Sequence, residues 1–518
     1  MGGSKIKNQK SKIENGMCEK CHENQVSFII STFVNSSARQ IRVCEECAMQ
    51  HGIADAGRNA RAPGADRQCP QCNSRYSLRV TRGSTLLGCP TCYTEFAGEL
   101  RPFLYRIHGS VIHRGKRQTS NVKHQRRVRS LPYSESQKAR ESGRKSDAKT
   151  RRVAPLPCLE ASSDLSSRLP AEAEWMQGSG PDCDVVISTR LRLARNISGH
   201  VFCNLAEESE LQHIAETVED AVADVGRIQG SPLRNASVIG LKHLGAIDRE
   251  FLIERHLISK DLTERDGTGK VIVDGKEITS IMLNEEDHIR LQVINPGLQL
   301  RQSWEMINAI DDELGRRIDY AFSPDWGYLT ACPTNVGTGL RVSVMLHIPA
   351  LAFASGRTQG SPLRAISDMG YAVRGMYGEG SQATGAFYQI SNEVTLGQSE
   401  DEIVDRVRSV ARQIVDRERE ERRLLIEKNG VRVEDKIFRS YGTLINARLI
   451  SSREALDLLS WVSLGVNIGI LPQPSRTDIA RLLVLTRPAH LQKYERRELP
   501  NPLARDISRA VVIREKLK

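Results

Sequence analysis

The stretch "IMLNEEDHIRLQVI", from Ile281 to Ile294, sets five ionisable residues between apolar flanks. Glu285, Glu286, Asp287, His288 and Arg290 must be paired or used there, because taking charges out of water is costly. Read as one continuous strand, the stretch would place Glu286, His288 and Arg290 on a shared face, with Glu286 and Arg290 ~13 Å apart. Asp287 would then point the other way as a structural partner, and Glu285 reads as support for the local charge network.

Arginines recur beside strand-like or glycine-rich segments. In "DVVISTRLRLARNI" (184–197), Arg190 and Arg192 project from one strand face, ~6.6 Å apart. Two guanidiniums so placed repel each other unless an anion lies between them; the bland alternative is an exposed amphipathic strand. "CPTNVGTGLRVSVMLHIP" opens a strand at Arg341, and "GYAVRGMYGEGSQATGAFYQISN" sets Arg374 before a glycine-rich loop carrying Glu379. With Arg290 these make five arginines, a set suited to the charges of a nucleotide triphosphate. No Walker A loop is present, nor the His-Arg-Asp or Asp-Phe-Gly elements of a protein kinase. Phosphoryl transfer, if it occurs, must clamp phosphates with arginines.

A third chemistry lies near the start. Cys18/Cys21, Cys44/Cys47, Cys69/Cys72 and Cys89/Cys92 form four Cys-x-x-Cys pairs, separated by 22 residues within the first two and 16 within the last two. Two pairs make one tetrahedral thiolate site, so two structural Zn²⁺ ions are expected, each with four thiolates and no open position for water. Short alternating runs between the pairs, such as "QVSFIISTFVNSSARQIRV", read as β-hairpins that metal binding would stabilise. The remaining cysteines, at 158, 183, 203 and 332, have no partner spacing.

At 518 residues the chain needs more than one domain, and a hydrophobic content of 39% allows a sizeable core. No signal peptide and no apolar run near the ~18 residues of a membrane span is seen, so a soluble cytoplasmic protein without membrane contact is expected. The net charge of +11 is confined to one segment. From Arg114 to Arg152 there are 14 Lys and Arg against three acids, which leaves 60 of each sign elsewhere. That segment has almost no apolar residues and reads as a disordered linker. Its basic charge could touch nucleic acid or an acidic partner, but the plainer reading is a solvated tether. Beyond about 405, "EIVDRVRSVARQIVDREREERRLLIEK" and later stretches carry apolar positions at helical spacing.

Taken in order, "STRLRLARN", "NEEDHIR", "CPTN" with "GTGLRVSV", and "RGMYGEG" resemble the signatures of the phosphagen (guanidino) kinase family. The version here is most similar to the bacterial protein-arginine kinases of the McsB type. "RDISRA" resembles that type's Arg-Asp-x-x-Arg-Ala element. The cysteine-rich first 115 residues resemble the McsA type of zinc-binding activator, as if activator and kinase were fused. One departure is that the basic linker stands where the activator family continues into a charged helical hairpin.

The resemblance implies an α+β protein. Expected are zinc modules over 1–56 and 57–115, a linker over 116–170, a catalytic domain with an antiparallel sheet flanked by helices over 171–415, and a helical domain over 416–518. It implies transfer of the γ-phosphoryl group of ATP, with Mg²⁺, to arginine side chains of proteins. Glu286 would be the base, Glu379 would orient the guanidinium, and Cys332 would favour it electrostatically. The nucleotide would lie against Ser188, Thr189, Arg190, Leu191, Arg192, His256 and Arg290. It would also meet Arg341, Val342, Ser343, Val344 and Met345, and then Arg374, Gly375, Met376, Tyr377, Gly378 and Glu379. Arg505, Asp506, Arg509 and Ala510 would form an allosteric phosphoarginine pocket. Implied partners are arginine-bearing protein substrates, a heat-shock repressor among them, a Clp-type ATPase and protease, and a second copy of the chain; direct nucleic-acid binding is not expected. Two other readings stay open: a kinase for free arginine or another small guanidine, and a zinc-ribbon nucleic-acid regulator with an inactive kinase domain.

Overall fold

The computed structural model describes residues 28–34, 37–43, 68–75, 86–117, 155–158, 165, 169–170, 172–265, 267–355, 366–367, 370–375 and 384–518. The first strands, β1 (Phe28–Val34) and β2 (Ser37–Val43), form an antiparallel hairpin, as the alternating run between the first cysteine pairs led one to expect. Short helix α1 (Thr91–Glu95) carries Cys92, the last of the paired cysteines, and α2 (Ala97–His108) follows it.

The centre is an eight-stranded sheet in the spatial order Tyr371–Gly375, Phe387–Asn392, Leu340–His347, Val186–Arg195, Ile289–Pro296, Thr279–Leu283, Lys270–Val273 and Ser237–Gly240, antiparallel throughout. In chain order its elements and their neighbours are β3 (Val186–Arg195), α3 (Glu208–Gly226), β4 (Ser237–Gly240), α4 (Ala246–Glu254), α5 (Lys260–Thr263), β5 (Lys270–Val273), β6 (Thr279–Leu283), β7 (Ile289–Pro296) and α6 (Leu300–Gly315). Next come the small ribbon β8 (Phe322–Ser323) and β9 (Gly327–Tyr328), then β10 (Leu340–His347), α7 (Pro349–Ser355), β11 (Tyr371–Gly375) and β12 (Phe387–Asn392).

Alternation along the central strands decides the two faces. Leu191, Leu193, Leu291, Val293, Val342 and Val344 point to one side, where Ile214 and Val218 of α3, and Trp304 and Ile307 of α6, close over them. Each such side chain, fully buried, contributes about 1.5–3 kcal/mol. The intervening arginines are left on the opposite face, and the register sets Arg192 directly across from Arg341.

The chain then enters α8 (Glu400–Asn446), started by a capping box of Ser399 and Glu402 and kinked at Asn429. Its first half packs on the sheet through Ile403, Val407 and Ile414. Its second half joins α9 (Ser452–Asn467), α10 (Arg476–Leu485), α11 (Pro488–Glu495) and α12 (Pro502–Leu517) around Ile437, Leu459, Leu482 and Ile513. The α+β class, with its antiparallel sheet and helical C-terminal part, is thus present.

Two expectations change. Glu285 to His288 are not strand but the turn between β6 and β7. Asn284 takes a left-handed φ of 60°, and its N–H bonds His288 O at 3.0 Å. A run of four polar residues favours such a turn over a ladder. The segment expected as linker also packs at both ends. Lys116 bonds the sheet domain at one end. At the other, Pro157 O accepts Val238 N at 2.9 Å, while Leu165 and Leu169 are buried against Leu241 and Phe251. The apolar leucines at that end explain why charge alone misplaced the boundary.

Candidate active site

The β6–β7 turn folds Glu286 back onto β7 rather than extending it away. Arg290 Nη2 is 2.7 Å from Glu286 Oε1, its Nη1 is 2.6 Å from Glu285 Oε2, and Asp287 Oδ2 lies at 3.7 Å. Glu285 also accepts the Ser259 hydroxyl and, at 3.0 Å, the Glu286 N–H. Asp287 Oδ1 accepts Asn196 Nδ2 at 2.7 Å and Ala331 N at 2.8 Å, so it is structural, as expected. His288 is structural too. It is buried, with Nδ1 accepting Ile197 N at 3.1 Å and Nε2 at 2.8 Å from Val201 O, and burial lowers its pKa to about 3.

These environments push the carboxylates apart. Burial works against a charge on Glu285, yet Arg290 and Ser259 hold it below the usual carboxylate range. Burial lifts Glu286 to about 7 in spite of Arg290, and the neighbouring Asp287 and Glu285 add to the rise. Of the two, Glu286 is the one poised to exchange a proton near neutral pH. Asn335 Nδ2 also reaches Glu286 Oε1, at 3.2 Å. Asn335 ends the short helical turn Pro333–Asn335, next to Cys332, whose thiol lies 3.0 Å from Thr334 Oγ1. Burial and the Glu286 carboxylate push that thiol up. A thiolate there would need a cation beside it.

Strand parity brings Arg190, Arg192, Arg290, Arg341 and Arg374 to one face of the sheet. Arg192 is held well below its usual range by burial and by Arg190, Arg290 and Arg341, and its Nε has no hydrogen-bond partner among the described residues. Burial lowers Arg190 to about 10 and also lowers Arg341. Guanidiniums gathered this closely on one face can receive an anion between them. His256 sits at its rim, its ring 5.2 Å from that of Trp175. Its carbonyl accepts Gln292 Nε2 at 2.7 Å, and Gln292 Oε1 accepts Arg190 Nε at 2.5 Å.

The same parity corrects the predicted binding stretches. Ser188, Ser343 and Met345 share the arginine face. Leu191, Val342 and Val344 are buried in the helix-side core, and Thr189 Oγ1 bonds Gly297 O at 2.7 Å. Side chains of a strand alternate, so only main-chain atoms of these four could face a ligand. Gly375 ends β11; Met376, Tyr377, Gly378 and Glu379 lie outside the described residues. In the C-terminal helices, Arg509 is buried, donating to Thr486 O and Ile450 O and pairing with Asp506. Arg505 donates to Leu499 O at 3.1 Å, and Ala510 is core. Asn335, Gln292, Ser259 and Trp175 were not singled out from sequence, because each acts through a partner distant in the chain.

The cysteine pairs at 69/72 and 89/92 converge, with their sulfurs within 4.8 Å of one another. Measured separations of 3.5 Å (69–89 and 72–92) and 3.8 Å (89–92) suit the edges of a zinc tetrahedron with Zn–S bonds of about 2.3 Å. Cys18, Cys21, Cys44 and Cys47 lie outside the described residues.

Three family models match parts of the chain. The model of the ATP:guanido phosphotransferase C-terminal catalytic domain matches residues 215–421. The protein-arginine kinase McsB C-terminal domain matches 430–518, and the McsA central zinc-finger domain matches 67–115. The protein-arginine kinase of Halothermothrix orenii is 46% identical over 346 residues, 67% of this chain and 96% of that protein. The chain belongs to the protein-arginine kinase family. The Moorella thermoacetica member is 43% identical over 359 residues, 68% of this chain and 99% of its own length. These relatives leave about a third of the chain unmatched, and the zinc-finger match at 67–115 precedes both kinase-domain matches. Among the described residues no helix is long and apolar enough to cross a membrane.

Proposed function

We propose that the chain transfers the γ-phosphoryl group of ATP to arginine side chains of proteins. The observation that carries this reading is the Glu286 carboxylate, lifted to about 7 and standing between Asn335 and Arg290 at the edge of the arginine face. A guanidinium has a pKa above ~12 and is a poor nucleophile until it loses a proton. As its nitrogen bonds to phosphorus and the bond to the ADP oxygen breaks, Glu286 takes that proton. Arg190, Arg192, Arg290, Arg341 and Arg374 hold the triphosphate and stabilise the charge passing to ADP, which is the larger part of catalysis in phosphoryl transfer. Mg²⁺ carried on the phosphates would neutralise further charge. Glu379 would orient the acceptor guanidinium. Four thiolates at 69, 72, 89 and 92 would hold one structural Zn²⁺, and the first cysteine pairs a second.

Family resemblance further supports a phosphoarginine pocket at Arg505–Ala510, a homodimer, and a role in marking substrates, a heat-shock repressor among them, for a Clp-type protease. The test is mass spectrometry at neutral pH after incubation with Mg-ATP, offering a protein substrate and free arginine in parallel. Acid-labile phosphate on protein arginines, absent with Glu286→Ala, is expected. Phosphate on free arginine alone would overturn the protein-substrate reading.

A further inference from the structure

The segment Thr330–Asn335 is a wall shared by the zinc module and the carboxylate turn. From the module, Leu87 N donates to Ala331 O at 2.8 Å. Tyr93 OH donates to Thr330 O at 2.9 Å, and His108 Nε2 lies 2.9 Å from Pro333 O. From the other side Asp287 accepts Ala331 N, and Asn335 reaches Glu286. Two hydrogen bonds, joined by the backbone from Pro333 to Asn335, thus connect the last residue of α2 to the carboxylate proposed to take the proton.

His108 is the most committed of these contacts. Its ring is buried, and the Nδ1 atom faces Thr395 N at 3.4 Å. Thr395 Oγ1 in turn lies 3.1 Å from Thr334 O and 2.8 Å from Val336 O. Together His108 and Thr395 engage three carbonyls of the loop that carries Asn335. With Nε2 donating and Nδ1 accepting, both ring nitrogens of a neutral imidazole are satisfied, and burial favours that form. The module is also fixed in place. Tyr93, Phe96 and Leu104 pack with Trp326, Val336 and Leu396. Lys116, just beyond the module, bonds Asp311 at 2.6 Å and gives its N–H to Glu400 at 2.9 Å.

We propose that His108 of the zinc module is a positioning residue for phosphoryl transfer, holding Thr330–Asn335 so that Asn335 keeps the Glu286 carboxylate in line within the same chain. The proposal rests on Glu286 being the base. It makes the module a built part of the reaction centre, beyond a domain tethered to it. A displaced base is expected to cost turnover more than nucleotide binding, because the arginines proposed to hold phosphate are carried on β3, β7, β10 and β11 and not on this segment.

The experiment is steady-state kinetics of the full chain with Mg-ATP and a protein substrate. His108→Phe keeps a ring but removes both nitrogens; His108→Gln restores a donor towards Pro333 O. Expected for His108→Phe is a loss of about 10- to 100-fold in kcat, with KM for Mg-ATP within about twofold and zinc content and Tm as in wild type. His108→Gln should recover most of the loss. Wild-type kcat in His108→Phe, an equal loss in both variants, or a loss carried by KM would overturn the proposal. Should His108→Phe not fold, Tyr93→Phe decides: a fall in kcat at unchanged KM supports the wall, and wild-type kcat removes it. A wild-type chain that phosphorylates no arginine, or a Glu286→Gln variant of full activity, would instead overturn the assignment of the base.

Discussion

Arg290 Nη2 stands 2.7 Å from Glu286 Oε1, although three residues separate them in a stretch that reads as strand. The turn at Asn284–His288 makes this contact, and Arg290 thereby offsets three carboxylates at once. Glu285 and Asp287 are fully buried while Glu286 keeps 24% of its side chain exposed. The arrangement leaves one carboxylate of three accessible to an incoming guanidinium.

Replacing that carboxylate with its uncharged isostere should remove the proton acceptor and little else. Glu286→Gln is expected to lower kcat by about 10²- to 10⁴-fold, with Tm close to wild type because the side chain is partly solvated. An ADP-release assay beside a thermal melt reads both quantities. Turnover within a few-fold of wild type would remove Glu286 from its role.

The pH profile follows from the same group. As the proposed base Glu286 must be ionised to work, and burial sets its pKa near 7. Activity should therefore be full above that value and fall as pH drops through it, one proton per site. The profile of kcat/KM reports the free enzyme, and its acid limb should centre near 7, well above the ordinary Glu value of about 4.3. A profile flat down to pH 5 would contradict the raised value.

Much of this site was legible beforehand, and the failures have physical causes. Arg190 and Arg192 on one strand face were readable because side chains alternate, and Cys69 to Cys92 because metal ligands come in spaced pairs. The turn at Glu285–His288 was hidden by apolar flanks that make a strand on either side. Leu191, Val342 and Val344 were over-assigned because a contiguous motif mixes residues facing the ligand with residues facing the core. Asn335 and His108 could not be found at all: one meets Glu286 across 49 positions and the other meets Pro333 across 225, and no local pattern encodes such distances.

The C-terminal Arg-Asp-x-x-Arg-Ala element divides its two arginines between different tasks. Arg509 is buried and ties α12 to Ile450 and Thr486, so its loss would damage the helical core. Arg505 is half-buried and is the cleaner probe of the proposed pocket. Arg505→Ala should keep basal turnover within about twofold while weakening any response to added phosphoarginine. Stimulation of the variant equal to wild type would remove Arg505 from the pocket.

The zinc-module tail reaches a buried ion pair whose members should differ sharply in what they contribute. Arg195 is fully buried, bonded to Asp311 Oδ1 at 3.0 Å and Oδ2 at 2.9 Å, with its guanidinium 3.5 Å from the Tyr328 ring centre. Lys116 also meets Asp311, but with 22% of its side chain exposed. Removing Asp311 strands a buried cation, and such a break costs about 3–5 kcal/mol. Removing Lys116 takes away a partly solvated partner and leaves the Arg195 pair intact, a loss of about 0–1 kcal/mol. Urea unfolding of Asp311→Ala and Lys116→Ala should therefore show midpoints far below wild type and close to it, respectively, with similar slopes. Equal shifts in the two variants would mean that the tail contact, rather than the buried pair, carries the stability at this junction.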